Sequence, residues 1–258
     1  MIVLNLYSPF DYLCNEPFFI REIGNLKSPT LRDIRKVSYS IFSCFLNLML
    51  CTPQECAKML ELEEQYNALD EKGKEMNTVY NLLLYNNIQL LFSTLLFFIE
   101  DAFEFDKQSL SFKTYQMVDD KKQIIGHIGN DNFEQFRFEV QRILGLKNQE
   151  EEQEQKFKNK TAKKLFEKLQ KHTKEQKKKS DENYTLDNMI KKYCTHNKVG
   201  INILNVWDMT YYQFTSMFNE YCNGRQCDFN DMMAANTFSY KKSTDYKPLD
   251  YIKKLNNN

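Results

Sequence analysis

The chain has 258 residues, with 35 Lys and Arg against 35 Asp and Glu, 42% apolar residues and 27% charged ones. That length sets one or two domains, and 20 Phe with 15 Tyr supply enough ring surface for a sizeable core, which excludes a wholly disordered chain. Seven Gly and five Pro are too few for a turn-rich β-sandwich or a Gly-rich phosphate loop, and the balanced charge excludes a binder of nucleic acid that is basic all over.

In chain order, residues 1–29 are aromatic and broken by Pro9, Pro17 and Pro29. They lack the basic start and small-residue cleavage site of a signal peptide. Phe18–Ile23 reads as a strand with Gly24-Asn25 as its turn. Thr30 opens a helix through a capping-box pattern with Asp33, and Ile34, Val37, Ile41, Phe45 and Leu48 form one apolar stripe at helical spacing. Thr52-Pro53-Gln54-Glu55 starts a second helix. A third is expected from about Asn77 to Asp101, apolar nearly all round in its second half. Its twelve-residue apolar run Ile88–Ile99 is short of the roughly 20 residues a bilayer span needs, so it reads as a core helix. Ser109–Ile128 then alternates as a β-hairpin around DDKK. Asn130 or Asp131 caps the next helix, with the stripe Phe133, Phe136, Val140, Ile143, Leu144 and a C-cap at Gly145.

The zero net charge is a sum of unlike parts. Residues 147–179 hold twelve Lys against six Glu, whereas the rest of the chain holds 23 basic against 29 acidic residues. The segment 147–183 is read as a charged linker or exposed helix. Beyond it, a helix spans Thr185–His196, and Thr210-Tyr211-Tyr212-Gln213 caps another, with the stripe Trp207, Tyr211, Phe214, Phe218 and Tyr221 and a stop at Gly224. The expected organisation is an N-terminal helical domain with a small β element (1–146), the linker (147–183), a C-terminal helical block (184–237) and a polar tail (238–258). The expected fold class is mainly α, a bundle-like domain with a minor hairpin plus a charged helical linker.

Chemical motifs are sparse. Cys194, His196, Cys222 and Cys227 make up the count of a tetrahedral zinc site, but neither pair has the spacing of a zinc knuckle, and small buried thiols are the simpler reading. The seven cysteines, odd in number, do not form a disulfide framework and fit a reducing cytoplasm. His127, in an Ile-Gly-His-Ile-Gly strand, and His172, in the charged segment, have no triad partners in sequence. The carboxylates Glu100, Asp101, Glu104 and Asp106 follow the apolar helix and read as a return to solvent. No catalytic, cofactor or metal-binding residue is therefore assigned, and no enzyme activity is expected. The Lys-rich segment, with Lys163, Lys164, Lys168 and Lys171 around a short apolar stripe, is a candidate electrostatic contact. Its lack of Arg disfavours nucleic acid. Phe42, Phe45, Trp207, Tyr211, Phe214 and Phe218 are candidate partner contacts, because rings anchor interfaces.

Two segments carry a resemblance: Ser28–Phe42 (SPTLRDIRKVSYSIF) and Ile201–Tyr221, with its Asn-x-Trp-Asp-x-Thr-x-Tyr-Gln-Phe centre. Together they resemble tail-module proteins of tailed phages and prophages of low-GC Gram-positive bacteria, among them tail assembly chaperones. The resemblance implies a helical, non-enzymatic protein that holds the long tape-measure protein, or another tail protein of the module, in the host cytoplasm and away from membranes. The alternatives are a structural virion component of tail or connector, and a nucleic-acid-binding accessory protein acting through the Lys-rich segment.

Overall fold

The structure is a computed structural model and describes residues 7–119, 121–146 and 185–235. It divides into a first unit, Met1–Gln153 with Thr210–Tyr212, and a second, Glu154–Met209 with Gln213–Asn258.

In the first unit, the Thr30 hydroxyl accepts from the Asp33 amide and the Asp33 carboxylate from the Thr30 amide, which fixes the start of α1 (Leu31–Val37). The stripe expected to run from Ile34 to Leu48 is broken. Ser38 stands at φ 75°, ends α1, and its hydroxyl oxygen accepts from the Ile41 amide to start α2 (Tyr39–Leu50). Ile41 is consequently exposed, whereas Ile34, Phe45 and Leu48 are buried. α3 (Pro53–Met59) opens with the Thr52/Glu55 capping box and with Pro at its start. Two short helices follow, α4 (Glu63–Asn67) and α5 (Glu71–Met76). The helix expected over Asn77–Asp101 is two helices, α6 (Val79–Asn86) and α7 (Ile88–Phe98), bent by 119°. Asn87 makes the corner, its side chain accepting from the Leu90 amide at 3.1 Å. Among the described residues no single helix is long and apolar enough to cross a membrane.

The mainly-α expectation is corrected by two antiparallel sheets. One pairs β1 (Phe18–Ile20) with β2 (Gly24–Leu26), and the other has the order β3-β4-β5. In the second sheet, β4 (Ser111–Val118) and β5 (Lys121–Ile128) form the expected hairpin, but β3 (Ala102–Asp106) is an addition. Its carboxylates alternate with Phe103 and Phe105, so the apparent return to solvent is a strand with one apolar side. The turn between β1 and β2 lies at Arg21–Ile23, ahead of Gly24-Asn25, and it docks on the larger sheet. The Glu22 carbonyl accepts from the His127 amide at 2.8 Å and the Ile23 carbonyl from the buried Thr114 hydroxyl at 2.7 Å. A Cβ on Gly126 would sit 2.6 Å from the Glu22 carbonyl carbon, so this close approach requires glycine.

α8 (Phe133–Leu144) buries the whole predicted stripe and ends on Gly145 in the left-handed conformation, although its cap is Asn132 rather than Asn130 or Asp131. It also buries Arg137. The Arg137 Nε donates to the Leu48 carbonyl at 3.0 Å, Nη2 donates to the Cys51 carbonyl, and Nη1 pairs with Glu134 at 2.8 Å. Gln141 donates to the Met49 carbonyl. The last turn of α2 exposes carbonyls with no intrahelical partner, and α8 satisfies them inside the core.

The second unit contains α9 (Leu186–His196), a 3-10 turn at Val206–Asp208, and α10 from Gln213 onward within Tyr211–Ala235. Tyr193 of α9 meets Phe214 at 5.9 Å and Tyr221 at 5.7 Å, both edge-on. Two expectations are corrected. Trp207 belongs to the 3-10 turn rather than to the helix, and the helix runs through Gly224 to Ala235. A single glycine costs a helix about 1 kcal/mol, which does not end one that is otherwise stabilised.

Arg137→Met leaves two buried carbonyls, those of Leu48 and Cys51, short of the guanidinium donor and is expected to cost about 2–4 kcal/mol. Urea unfolding should show a lower midpoint at unchanged slope. A loss below about 0.5 kcal/mol would mean that water caps α2 as well as the guanidinium does.

Candidate protein-binding surface

From Asn77 to Ile99 the sequence contains no Asp, Glu, Lys or Arg. In α7 one side of this run forms core, with Leu91, Leu95 and Phe98 fully buried. The opposite side carries Ile88, Phe92 and Leu96 at steps of four, exposed by 40%, 43% and 57%. The Phe92 ring rests on Phe103 of β3 at 5.2 Å and on Phe112 of β4 at 6.3 Å. Phe105 continues the apolar floor, 5.0 Å from Phe112. Helix and sheet edge thus build one apolar face about two helical turns long. Scattered exposed apolar residues are ordinary, but a contiguous uncharged stripe marks a contact surface.

The other face of the sheet is built oppositely. Lys113 Nζ lies 2.6 Å from Asp106, Lys122 pairs with Glu104, and His127 Nε2 lies 2.9 Å from Asp131. The Lys113 ammonium holds the Asp106 carboxyl down at about 2, helped by the Gln108 amide and the Ser109 hydroxyl. The hydrogen bond from His127 lowers Asp131 similarly. Charges on outer strands discourage strand-to-strand association, which leaves the α7 side as the face suited to an apolar partner.

In the second unit, α9 and α10 enclose a cleft of about 280 Å³ lined by Tyr193, His196, Tyr221, Gly224, Arg225 and Asp228 among others. Tyr193 is 1% exposed, and its buried hydroxyl has no hydrogen-bond partner among the described residues. Burial raises the phenol's pKa, so the group stays protonated.

The partner contacts anticipated from periodicity are placed mostly inside. Phe42 and Phe45 are core residues of the first unit, Phe42 lying 5.3 Å from the Tyr211 ring of the same unit. Tyr211 is half-buried, and burial pushes its hydroxyl pKa up to about 12. Phe214 and Phe218 are core residues of the second unit. Trp207 is half-buried, its indole donating to the Ile203 carbonyl at 2.8 Å. As folded, the four phenylalanines are closed to a partner. Lys163, Lys164, Lys168 and Lys171 lie outside the described residues. Of the four candidate zinc ligands, Cys227 is buried and Cys222 exposed, and among the described residues no three His, Cys, Asp or Glu side chains are grouped to hold a metal ion. Ile88, Phe92 and Leu96 were not anticipated. Their step of four within an uncharged run was the available signal, but an all-round apolar helix does not show which side stays uncovered.

Residues 175–256 match the family model of the YomV second domain, which covers less than half of this chain. YomV is a Bacillus phage or prophage protein, and the match points to a phage protein. No curated protein and no solved structure matches the chain.

The ion-laced face has a testable titration. Asp106 is depressed from 3.8 to about 2, so its stabilising contacts are fully present above 3.8 and are lost as pH falls toward 2. Lys113→Met removes the first cause and should move the Asp106 midpoint up toward 3.8, read from its carboxyl carbon by NMR. An unmoved midpoint would show that the lysine does not hold the charge.

Proposed function

We propose that this chain is a non-enzymatic phage protein that acts as a tail assembly chaperone, holding the tape-measure protein in the host cytoplasm until the tail tube assembles. The observation that carries this reading is the uncharged stripe Ile88–Phe92–Leu96 on its aromatic floor. A tape-measure protein is a long helix with apolar stripes. An amphipathic helix laid along α7 would bury its apolar side without desolvating a charge, which is the helix-in-groove mode of recognition. The similarity of residues 175–256 to a domain of a phage protein supports the setting. Client contact is assigned to α7 and β3 rather than to Phe42, Phe45, Phe214 and Phe218, whose burial makes them structural.

The test is co-expression with the tape-measure protein of the same module. Phe92→Asp combined with Leu96→Asp places two charges on the stripe and should lower client capture at least about tenfold. Circular dichroism should stay near that of the unaltered chain and the urea midpoint should fall only modestly, because Leu96 is mostly exposed and Phe92 gives up its contacts with Phe103 and Phe112 alone. A folded double variant that still captures client at the original level would overturn the assignment of the surface. Abundant peptides of this chain in purified mature virions would overturn the chaperone role, since a chaperone leaves before completion.

A further inference from the structure

The face by which α10 packs on α9 extends beyond α9. Phe214, Phe218, Tyr221, Arg225, Asp228 and Met232 follow one another at steps of four, three, four, three and four, the seam of a coiled coil. The first two are buried and Tyr221 is half-buried against Tyr193. From Arg225 onward the same seam is open, with Met232 66% exposed and the flanking Phe229 61% exposed. Between the two parts lies the cleft of about 280 Å³, where Met217, Tyr221 and Gly224 outline a hole on the helix surface.

We propose that this face is the contact between two copies of the chain, an antiparallel pair of α10 helices about a two-fold axis crossing between Gln226 and Cys227. About that point the seam is self-complementary. It sets Arg225 opposite Asp228 and Tyr221 opposite Met232, each twice, as a two-fold interface requires. Met232 of one copy enters the cleft of the other, which Gly224 lines without a side chain of its own. A glycine inside a helix costs about 1 kcal/mol relative to alanine, and here it widens the receiving hole. Centring the axis on Arg225 itself would oppose two guanidinium groups, so charge selects the register. Arg225 is exposed, and among the described residues Asp228 reaches only Lys198, at 3.9 Å and largely in solvent. So loose a pair holds a charge weakly and leaves Asp228 available to Arg225 of the second copy. The zero net charge removes any general repulsion between copies.

Sedimentation of the full chain across a concentration series tests the proposal. The unaltered protein should shift from 30.9 kDa toward twice that mass. Arg225→Asp alone, and Asp228→Arg alone, place like charges opposite each other and should weaken association at least about tenfold. The double swap, Arg225→Asp with Asp228→Arg, should restore it. Gly224→Leu fills the hole and should also weaken association while leaving helix content equal or higher, which separates loss of contact from loss of fold. A chain that stays monomeric at every concentration would overturn the proposal. So would single swaps that still pair, or a double swap that fails to recover pairing. The contact lies in the second unit and does not depend on the client reading of α7.

Discussion

The first unit depends on how the end of α2 is closed. Its last carbonyls belong to buried residues, and Arg137 and Gln141 of α8 supply the donors. That fixes α8 across α2 and places Phe133, Phe136 and Val140 against the rest of the core, with Phe133 5.3 Å from Tyr80 of α6. α6 in turn leads through the Asn87 corner into α7. A cationic side chain buried among carbonyls is costly unless each donor is used, and here all three guanidinium nitrogens are.

The β elements complete the same frame from the other end. The Asp101 carboxylate accepts from the Asn25 amide and side chain at 2.5 and 2.9 Å, and the Lys27 amide donates to the Phe98 carbonyl at 2.9 Å. The C-terminal end of α7 is therefore tied to β2 just as the chain turns into β3. With both ends held, α7 keeps one side in the core and turns the other, Ile88, Phe92 and Leu96, outward over β3. The proposed client surface is a consequence of this framing.

Local features were legible in the sequence because their causes are local. The two capping boxes, the proline start of α3, the 111–128 hairpin, the α8 stripe and the Gly145 cap each follow from a few adjacent residues. The breaks were not. Ser38 at positive φ and the bend at Asn87 interrupt patterns that read as continuous, because an apolar period records burial and not whether one helix or two supply it. β3 was concealed by its carboxylates, whose partners Lys113 and Lys122 come from other strands. For the same reason, rings chosen as contacts by spacing proved to be core, since spacing identifies an apolar face and packing decides whether it is covered. The excess of Lys lies in a segment outside the described residues, whereas the α7 stripe proposed to meet the client carries no charged side chain.

Hydrogen–deuterium exchange of the chain alone and in complex with the co-expressed tape-measure protein tests the central claim most directly. Added protection is expected over residues 88–106, with the ion-paired strands β4 and β5 little changed. Protection confined to other segments, or none over 88–106 in a complex that has demonstrably formed, would contradict it.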